Sequence, residues 1–536
     1  MKHTHLILLC SLILLCCGCH KSNPIVIIPN PVECTPKAGH FTIDQETFLC
    51  FENMDGENNH LMRIIRNLYQ ESFGITPNLG DGSSQRSNRI LLEINKKWDD
   101  KLGDEGYTLT VRRQSVTAKA NTAQGLFYAF QTIRQMSIPD LLAESKSITL
   151  PCARITDYPR FAYRGAHLDV SRHFFDTAFV KEYIDLMAAY KLNKFHWHLT
   201  DDHGWRIQID QFPALTSVGA WRPERDTWDT LHPVQPDEAM TYGGFFTKEQ
   251  VRDIIQYAAE RYIDIIPEIE IPGHCSAILA AYPQFACDDY PYTVAVGPYW
   301  PPKAIMCAGN DDVLEFYKKV LNEVAELFPY PYIHIGGDEA FNDNWQVCPK
   351  CQQRIADKHL DGEMALQQWL MDQIDQHLKQ LGKKAIIWDD IVSDDMVNKS
   401  TIMCWQGPEA AKTAAKHGND IILCPTSHCY FNFYQEDPSK EPLAMTGLIT
   451  LEKAYTFDPQ PEGLDKEQQK HILGGQCNLW TEFINTPEQA EYMLLPRLCA
   501  LSECVWTPVE QKDWKNFSAR TEYHRQMLKK LGFQCR

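Results

Sequence analysis

An alternation of short apolar runs with amphipathic stretches, which begins after Pro159 and continues to about residue 502, most constrains the fold of this chain. Eight runs have the length of buried strands, and most precede a stretch in which apolar residues recur every three or four positions, as in a helix. The predicted strands are 163–170, 194–200, 263–269, 332–335, 384–388, 401–405, 420–424 and 472–480. The predicted helices are 177–190, 247–261, 313–327, 363–381, 409–417 and 487 to about 502. This order predicts a (β/α)8 TIM barrel, with a doubly wound parallel sheet as the alternative.

The region before the barrel has a different pattern. Residues 89–94 and 107–111 alternate like strands, and 122–136 has helical periodicity, which predicts a small α+β domain. The expected divisions are a signal peptide at 1–18, a proline-containing tether at 19–40, the α+β domain at 41–150, the catalytic barrel at 151–510 and a C-terminal extension at 511–536 packed on the barrel.

The N-terminus has the composition of an export signal. Lys2 precedes an apolar run at 6–15, which suits a signal-peptide core and is too short to span a bilayer. The run ends in Leu15-Cys16-Cys17-Gly18-Cys19, which resembles a bacterial lipobox. We expect cleavage before Cys19 and acylation of its thiol, which would anchor the protein in the periplasm or on the outer-membrane surface. A plain secretory peptide is the alternative.

Charge and cysteine spacing exclude several classes of partner. A formal charge of −18 argues against nucleic acid or an anionic membrane surface. Four of the nineteen cysteines lie in the leader, and most of the others are expected to be buried small hydrophobes. Cys348-Pro349-Lys350-Cys351 forms the one close pair outside the leader. Since no second pair has similar spacing, we expect a loop staple or free thiols and no metal site.

Carboxylates gather after the predicted strands. They are Asp169, Asp201-Asp202, Glu268, Glu270, Asp338-Glu339, Asp389-Asp390 and Glu482, at the strand ends that form the catalytic face of a barrel. Gly336-Gly337 ends the fourth strand, and a bend there would direct both Asp338 and Glu339 toward one substrate. Cleavage of a glycosidic bond requires an acid and an ionised carboxylate side by side. The alternative for this pair is an ordinary helix start.

Four blocks in this order resemble the signatures of family-20 glycoside hydrolases, which are exo-acting β-N-acetylhexosaminidases. They are RGAHLDVSRHF (164–174), FHWHLTDDHGWR (195–206), PEIEIPGH (267–274) and HIGGDE (334–339), with NLWTE (478–482) near the end. The N-terminal α+β domain resembles that family's companion domain. The resemblance implies removal of terminal GlcNAc or GalNAc from glycans with retention, through attack by the substrate's own acetamido oxygen and an oxazolinium intermediate. It implies no cofactor.

The resemblance also assigns roles. Glu339 is the general acid and then the base, and Asp338 orients the acetamido group. Arg172, in a salt bridge with Asp201, binds the 3- and 4-hydroxyls of the sugar. The hydroxyl of Tyr430 binds the acetamido oxygen. The remaining assignments are the aromatic walls Trp369, Trp388 and Trp480, the hydroxyl acceptor Glu482, and His274 with Glu270 as a second layer around Glu339. Trp369 lies on a predicted helix, where core packing is the alternative.

Two positions depart from many relatives. Glu270 stands where an Asp is common, and Asn432 stands where an Asp binds the 6-hydroxyl. A neutral amide removes like-charge repulsion, so a 6-sulfated sugar is expected to be tolerated, although Phe433 and not an arginine follows. Two functional alternatives stay open: a sugar-binding lipoprotein without catalysis, and a related enzyme that releases disaccharides or cleaves chitin oligomers. The second depends on the conformation of loops such as 212–243 and 282–310.

Overall fold

The computed structural model describes residues 23–54, 56–81, 87–225, 232–297, 304–393 and 399–536. The expected signal peptide and Cys19 lie outside these residues, as do parts of the loops 212–243 and 282–310. Within the described part of the chain, no helix combines the length and apolar character needed to cross a membrane.

The second and larger domain is a closed barrel of eight parallel strands. In chain order they are Tyr163–Asp169, Lys194–His198, Asp264–Glu268, Tyr332–His334, Lys384–Trp388, Thr401–Cys404, Ile421–Leu423 and Ile472–Leu479. The eighth strand pairs with the first from Gly474 opposite Tyr163 to Leu479 opposite Leu168, which closes the ring. The predicted barrel is therefore confirmed, and the doubly wound alternative is wrong.

The strands are buried on both faces because helices cover the barrel, so they are apolar along most of their length. The covering helices are Thr177–Ala189, Lys248–Ala259, Asp311–Leu327, Gly362–Gln380, Pro408–Lys416, Pro487–Leu494 and Arg497–Trp506. Asp176 and Thr247 cap two of them, and Thr247 forms a capping box with Gln250. The stretch predicted as one helix at 487–502 is two helices, because Pro496 has no N–H to continue the first.

Shorter elements lie in the loops. The helices are Ala214–Ser217, Ser276–Ala281, Asp343–Val347, Pro349–Lys358, Thr426–Cys429, Leu451–Tyr455 and Lys466–Gln469. Three small ladders pair Thr200–Asp201 with Gly204–Trp205, Trp221–Arg222 with Tyr242–Gly243, and Phe433–Tyr434 with Met445–Leu448. Most of these elements belong to the loops that follow barrel strands, which is where a barrel enzyme builds its site.

The N-terminal domain is one mixed sheet of seven strands with helices. From edge to edge the strands are Glu33–Ile43, Ile148–Asp157, Tyr107–Arg112, Ser115–Ala120, Arg89–Ile94, Phe48–Glu52 and Asn78–Asp81. The helices are Asn59–Phe73, Ala123–Met136 and Ile138–Leu142. A buried ion pair of 2.9 Å between Asp157 and Lys191 joins this domain to the barrel.

The described part of the segment predicted as a tether at 19–40 is structured. Val26, Ile27 and Ile28 are buried, and residues from Glu33 onward form the first strand of the sheet. The C-terminal helix Trp514–Lys530 covers the buried segment, and His524 Nε2 lies 2.6 Å from the carbonyl oxygen of Val26. The tether prediction is wrong for these residues because their prolines lie between apolar residues that have a surface to pack against.

Candidate active site

A pocket of about 230 Å³ opens on the C-terminal face of the barrel. It is smaller than the 300–1,000 Å³ that is typical of drug-sized ligands, which suits one sugar unit. Nine of the predicted residues line it: Arg172, His274, Asp338, Glu339, Trp388, Tyr430, Asn432, Trp480 and Glu482. Trp405, Thr426, Phe433 and Met445 complete the wall.

The adjacent carboxylates lie at a sharp bend after the fourth strand. Gly336 and Gly337 have φ of +63° and +101°, and Glu339 itself has φ of +43°, a region that residues with a Cβ seldom occupy. A Cβ on Gly336 would lie 1.9 Å from Glu270 Oε2, so glycine is required there. The bend directs both side chains to the pocket, as expected. The Asp338 side chain is 14% exposed and that of Glu339 is 52% exposed, so Asp338 lies deep and Glu339 at the mouth.

His274 lies against both carboxylates. Its Nε2 is 3.5 Å from Asp338 Oδ2 and 3.6 Å from Glu339 Oε2, while its Nδ1 is 3.2 Å from Asp202 Oδ2. Burial opposes a charge on the ring, but the carboxylates of Asp201 and Asp338 raise the pKa of His274 well above its usual range. The ring of His274 therefore lies against both carboxylates, and its charged form is favoured there.

Arg172 is a buried residue of the pocket wall and is held by two carboxylates. Its guanidinium contacts Asp169 Oδ2 at 3.0 Å and Asp201 Oδ2 at 2.9 Å, and it lies 4.9 Å from the centre of the Trp480 ring. Asp201 is buried and does not line the pocket, and its contact with Arg172 positions that guanidinium. The planar guanidinium suits a pair of neighbouring hydroxyls.

Aromatic rings form the sides of the pocket. Trp388 and Trp480 have ring centres 5.9 Å apart, and Tyr430 lies 6.3 Å from Trp480 and 6.4 Å from Trp405. Trp388 is fixed by a 2.8 Å hydrogen bond from its Nε1 to Glu268 Oε1. Glu268 in turn joins His196, His198 and His334 in the barrel interior, where these histidines serve as hydrogen-bonded core, as predicted.

Three acceptors that face the pocket have no hydrogen-bond partner within the described residues. They are Asp338 Oδ1, Asn432 Oδ1 and Glu482 Oε2, all of them buried. A buried acceptor without a partner is costly, so each favours a ligand that supplies hydroxyl or amide N–H groups. Burial raises the pKa of Glu482 to about 7, although Arg172 opposes the rise.

Glu270 lies beneath the bend at Gly336, with its side chain buried. Burial and then the charge of Asp338 raise the pKa of Glu270 well above its usual range. This carboxyl therefore lies near Asp338 without lining the pocket.

Trp369 does not line this pocket, although the resemblance places it among the aromatic walls. This residue lies on the helix Gly362–Gln380, outside the pocket, and the guanidinium of Arg354 lies 4.7 Å from the centre of its ring. The missing wall is Trp405, which directly follows the sixth strand. Its position at a C-terminal strand end is a signal that could have identified it. Asp390 is one of the strand-end carboxylates, and the sequence gives no sign that its two oxygens accept from Trp405 Nε1 at 2.7 Å and from the Glu339 N–H at 3.2 Å.

An aromatic pocket for one sugar, with a deep and an exposed carboxylate on the C-terminal face of a (β/α)8 barrel, defines the class of barrel glycoside hydrolases. Family models agree with this class: the catalytic domain of glycosyl hydrolase family 20 matches residues 161–509, and domain 2 of that family matches residues 25–158. The chain belongs to glycosyl hydrolase family 20.

Individual relatives fit this membership. The chain is 38% identical over 504 residues to a beta-hexosaminidase of Porphyromonas gingivalis, covering 93% of this chain and 62% of that protein. It is also 38% identical over 403 residues to a beta-hexosaminidase of Vibrio furnissii, covering 74% of this chain and 65% of that protein. The chain thus spans somewhat less than two thirds of the length of these relatives. A solved GH20 exo β-N-acetylglucosaminidase of Vibrio harveyi, in complex with N-acetylglucosamine, superposes with a TM-score of 0.84 at 32% identity, over 96% of this chain and 78% of that one.

Proposed function

We propose that this protein is an exo-acting, retaining β-N-acetylhexosaminidase that removes terminal GlcNAc or GalNAc from glycans. The observation that carries the proposal is the placement of Asp338 deep in a one-sugar pocket while the adjacent Glu339 stands at its mouth. A bond between the bound sugar and the rest of a glycan would cross that mouth. The named beta-hexosaminidase relatives and the N-acetylglucosamine complex of the Vibrio harveyi enzyme support the same substrate.

The first step uses the substrate's own nucleophile. The acetamido carbonyl oxygen attacks the anomeric carbon and forms a C–O bond, while the glycosidic bond breaks and Glu339 gives its proton to the departing oxygen. Asp338 Oδ1, which is buried without a partner among the described residues, accepts the acetamido N–H and stabilises the positive charge of the oxazolinium. Tyr430 holds the carbonyl oxygen in line for attack.

The second step restores the enzyme. Glu339, now ionised, takes a proton from a water molecule whose oxygen attacks the anomeric carbon and opens the oxazolinium ring. Two inversions give net retention. His274 lies within 3.6 Å of both carboxylates, and its positive charge stabilises ionised Asp338 and the ionised Glu339 that the first step creates.

The buried groups Arg172 and Glu482 in the pocket wall support exo action. Arg172 and Glu482 would bind the hydroxyls at the non-reducing end of the sugar, and the ion pairs of Arg172 with Asp169 and Asp201 leave its guanidinium little freedom to move. A further sugar beyond this end would have to displace these groups. The bend at Asp338-Glu339 argues against a lectin, since binding alone does not require two adjacent carboxylates with the second in a strained conformation.

Substrate assistance is tested by comparing aryl β-glycosides that differ only at C2. We expect hydrolysis of the 2-acetamido sugar at a rate at least about a thousandfold above that of the 2-hydroxy and 2-deoxy analogues, because only the first carries the nucleophile. Proton NMR of the first-formed product should give the β anomer. Equal cleavage of the 2-hydroxy sugar would contradict the mechanism, and release of only disaccharides from a chitin oligomer would contradict exo action on single sugars.

We propose in addition that the protein is exported and anchored by lipid on Cys19. The support is the lipobox-like Leu15-Cys16-Cys17-Gly18-Cys19 after a short apolar run. Metabolic labelling with an alkyne fatty acid in a bacterial host tests this. Label should be incorporated by the wild type and by Cys17→Ala, whose changed residue is removed with the leader, but not by Cys19→Ala. Label that persists in Cys19→Ala would overturn the proposal.

A further inference from the structure

Four cysteines that are distant in sequence meet beside the active-site loops. Their sulfur atoms all lie within 4.8 Å of one another, and they come from Cys287, Cys307, Cys348 and Cys351. Cys307, Cys348 and Cys351 are buried and Cys287 is half-buried. None of them lines the sugar pocket, and the proposed reaction uses none of them.

Three of the distances between these sulfur atoms are nearly equal. Cys307 Sγ lies 3.7 Å from both Cys348 Sγ and Cys351 Sγ, and Cys287 Sγ lies 3.8 Å from Cys351 Sγ. A disulfide would require about 2.05 Å. Four thiolates arranged tetrahedrally around Zn²⁺ at about 2.3 Å have sulfur–sulfur edges of about 3.8 Å. The observed separations match the edges of a zinc tetrahedron and not a covalent bond.

The backbone around the cysteines is shaped to support such a site. Cys348 is the N-cap of the helix Pro349–Lys358 and Cys351 lies in its first turn, so the positive end of the helix faces both sulfurs. The segment Cys307-Ala308-Gly309 approaches this turn so closely that a Cβ on Gly309 would lie 2.3 Å from the Cys351 nitrogen. Arg354 donates to the Gly309 carbonyl at 3.3 Å, which joins this segment to the helix.

We propose that these four cysteines bind one structural Zn²⁺ ion as a tetrahedral tetrathiolate site. The expectation of no metal rested on the lack of a second close pair in the sequence. In the folded chain, two isolated cysteines of one loop lie beside the close pair of another loop, and together they supply four ligands. The chemistry of the donors favours zinc, because four soft thiolates in a tetrahedron exclude calcium and magnesium.

The ion would join the two loops that carry the catalytic machinery. Cys287 and Cys307 belong to the loop after the third strand, which also carries His274, and Cys348 and Cys351 follow the Asp338-Glu339 bend. Other contacts also join these two loops. Trp345 Nε1, for example, donates a 3.0 Å hydrogen bond to the Met306 carbonyl. A zinc site there would hold His274 in register with the two carboxylates, and so act as a positioning element without touching substrate.

Metal content of the full chain, purified without reductant or added metal and dialysed against metal-free buffer, tests the proposal first. We expect about one zinc ion per chain by inductively coupled plasma mass spectrometry. After exchange with Co²⁺, the spectrum should have an intense thiolate-to-metal band and the d–d bands of a tetrahedral site. A metal-free protein would overturn the proposal, whether its four thiols are free or joined as disulfides in a peptide map. Iron in place of zinc would also overturn it.

A matched pair of variants assigns the ligands. Cys287→Ser should lower zinc affinity at least tenfold, as measured by transfer to a chromogenic chelator, because it removes one of four ligands. Cys34→Ser changes a cysteine of similar exposure in the N-terminal sheet and should retain one zinc per chain. Equal zinc retention in the two variants would contradict the assignment.

If Cys287→Ser fails to fold, removal of zinc from the wild type with a chelator tests the proposal instead. Removal of zinc should lower the melting temperature and kcat, and Zn²⁺ but not Mg²⁺ should restore both. Unchanged melting temperature and kcat after complete removal of zinc would overturn the positioning role.

Discussion

The backbone N–H of Glu339 donates a 3.2 Å hydrogen bond to Oδ1 of Asp390. The other oxygen of Asp390 accepts from Trp405 Nε1 at 2.7 Å, so one carboxylate joins the acid to the aromatic wall of the pocket. Because Glu339 has a φ of +43°, its conformation is strained and depends on such contacts. Asp390 is therefore a positioning residue for both.

Asp390→Ala should lower kcat by about 10–100-fold and change KM much less, because it releases the backbone of the acid while leaving the deep part of the sugar pocket in place. Asp390→Asn retains one acceptor and should recover part of the loss. Steady-state kinetics on an aryl β-GlcNAc measures both. Asp264→Ala, at the opposite end of the barrel in an ion pair with Lys194, is the control and should have near-wild-type kcat. A loss confined to KM would contradict the positioning role.

Glu339→Gln should reduce turnover according to the leaving group. A poor leaving group requires its proton, so kcat/KM for a natural β-linked disaccharide should fall by about 10²–10⁴-fold. The dinitrophenolate of a dinitrophenyl glycoside leaves without protonation, so kcat/KM for this substrate should fall far less. The measurement is the ratio of the two losses in kcat/KM. Similar losses on both substrates would contradict the assignment of Glu339 as the acid.

Asp338→Asn should have the opposite pattern, because its defect concerns the acetamido group and not the leaving group. An amide at this depth can still accept the acetamido N–H but no longer stabilises the positive nitrogen, so kcat should fall by about 10²–10³-fold on good and poor leaving groups alike. The preference for 2-acetamido over 2-hydroxy sugars should shrink by the same factor. A dependence on leaving group like that of Glu339→Gln would contradict the division of roles.

The barrel could be predicted because each strand and helix is indicated by a pattern of residues that are neighbours in the sequence. Seven of the eight barrel strands are apolar runs with a carboxylate or a tryptophan at the C-terminal end or within four residues after it, and these ends determine which residues meet on the catalytic face. Trp388 and Trp480 followed predicted strands and lie in the pocket. Trp369 is assigned only through the family resemblance and lies on a helix, where no such rule applies, and the guanidinium of Arg354 lies over its ring.

The parts that could not be predicted depend on contacts between loops. Cys287 and Cys307 approach Cys351 from 64 and 44 positions away, through loops with no periodic pattern. Asp390 reaches Glu339 across 51 positions for the same reason. The burial of Val26 to Ile28 depends on a helix almost five hundred residues later, which a proline-containing segment alone does not indicate.

Asn432 should permit a 6-sulfated sugar. It lines the pocket as a neutral amide, whereas an aspartate there would face the sulfate with a like charge. We expect measurable hydrolysis of a 6-sulfated aryl β-GlcNAc by the wild type. Asn432→Asp should reduce kcat/KM on the sulfated sugar at least tenfold, with a much smaller change on the unsulfated one. Complete inactivity of the wild type on the sulfated sugar would contradict the expectation.

Glu482 should make stability depend on pH. Burial raises its pKa from 4.5 to about 7 in the folded chain, so between these values the folded state holds a proton that the unfolded state has released. The stability that this proton contributes is fully present below pH 4.5 and is lost as the pH rises through 7. Between pH 5.5 and 8.0 the wild type should therefore lose about 2 kcal/mol of unfolding free energy relative to Glu482→Gln, which cannot titrate at this position. Urea unfolding of both proteins at the two pH values measures the difference. A constant gap between the two proteins would show that Glu482 is already ionised at pH 5.5 in the folded state.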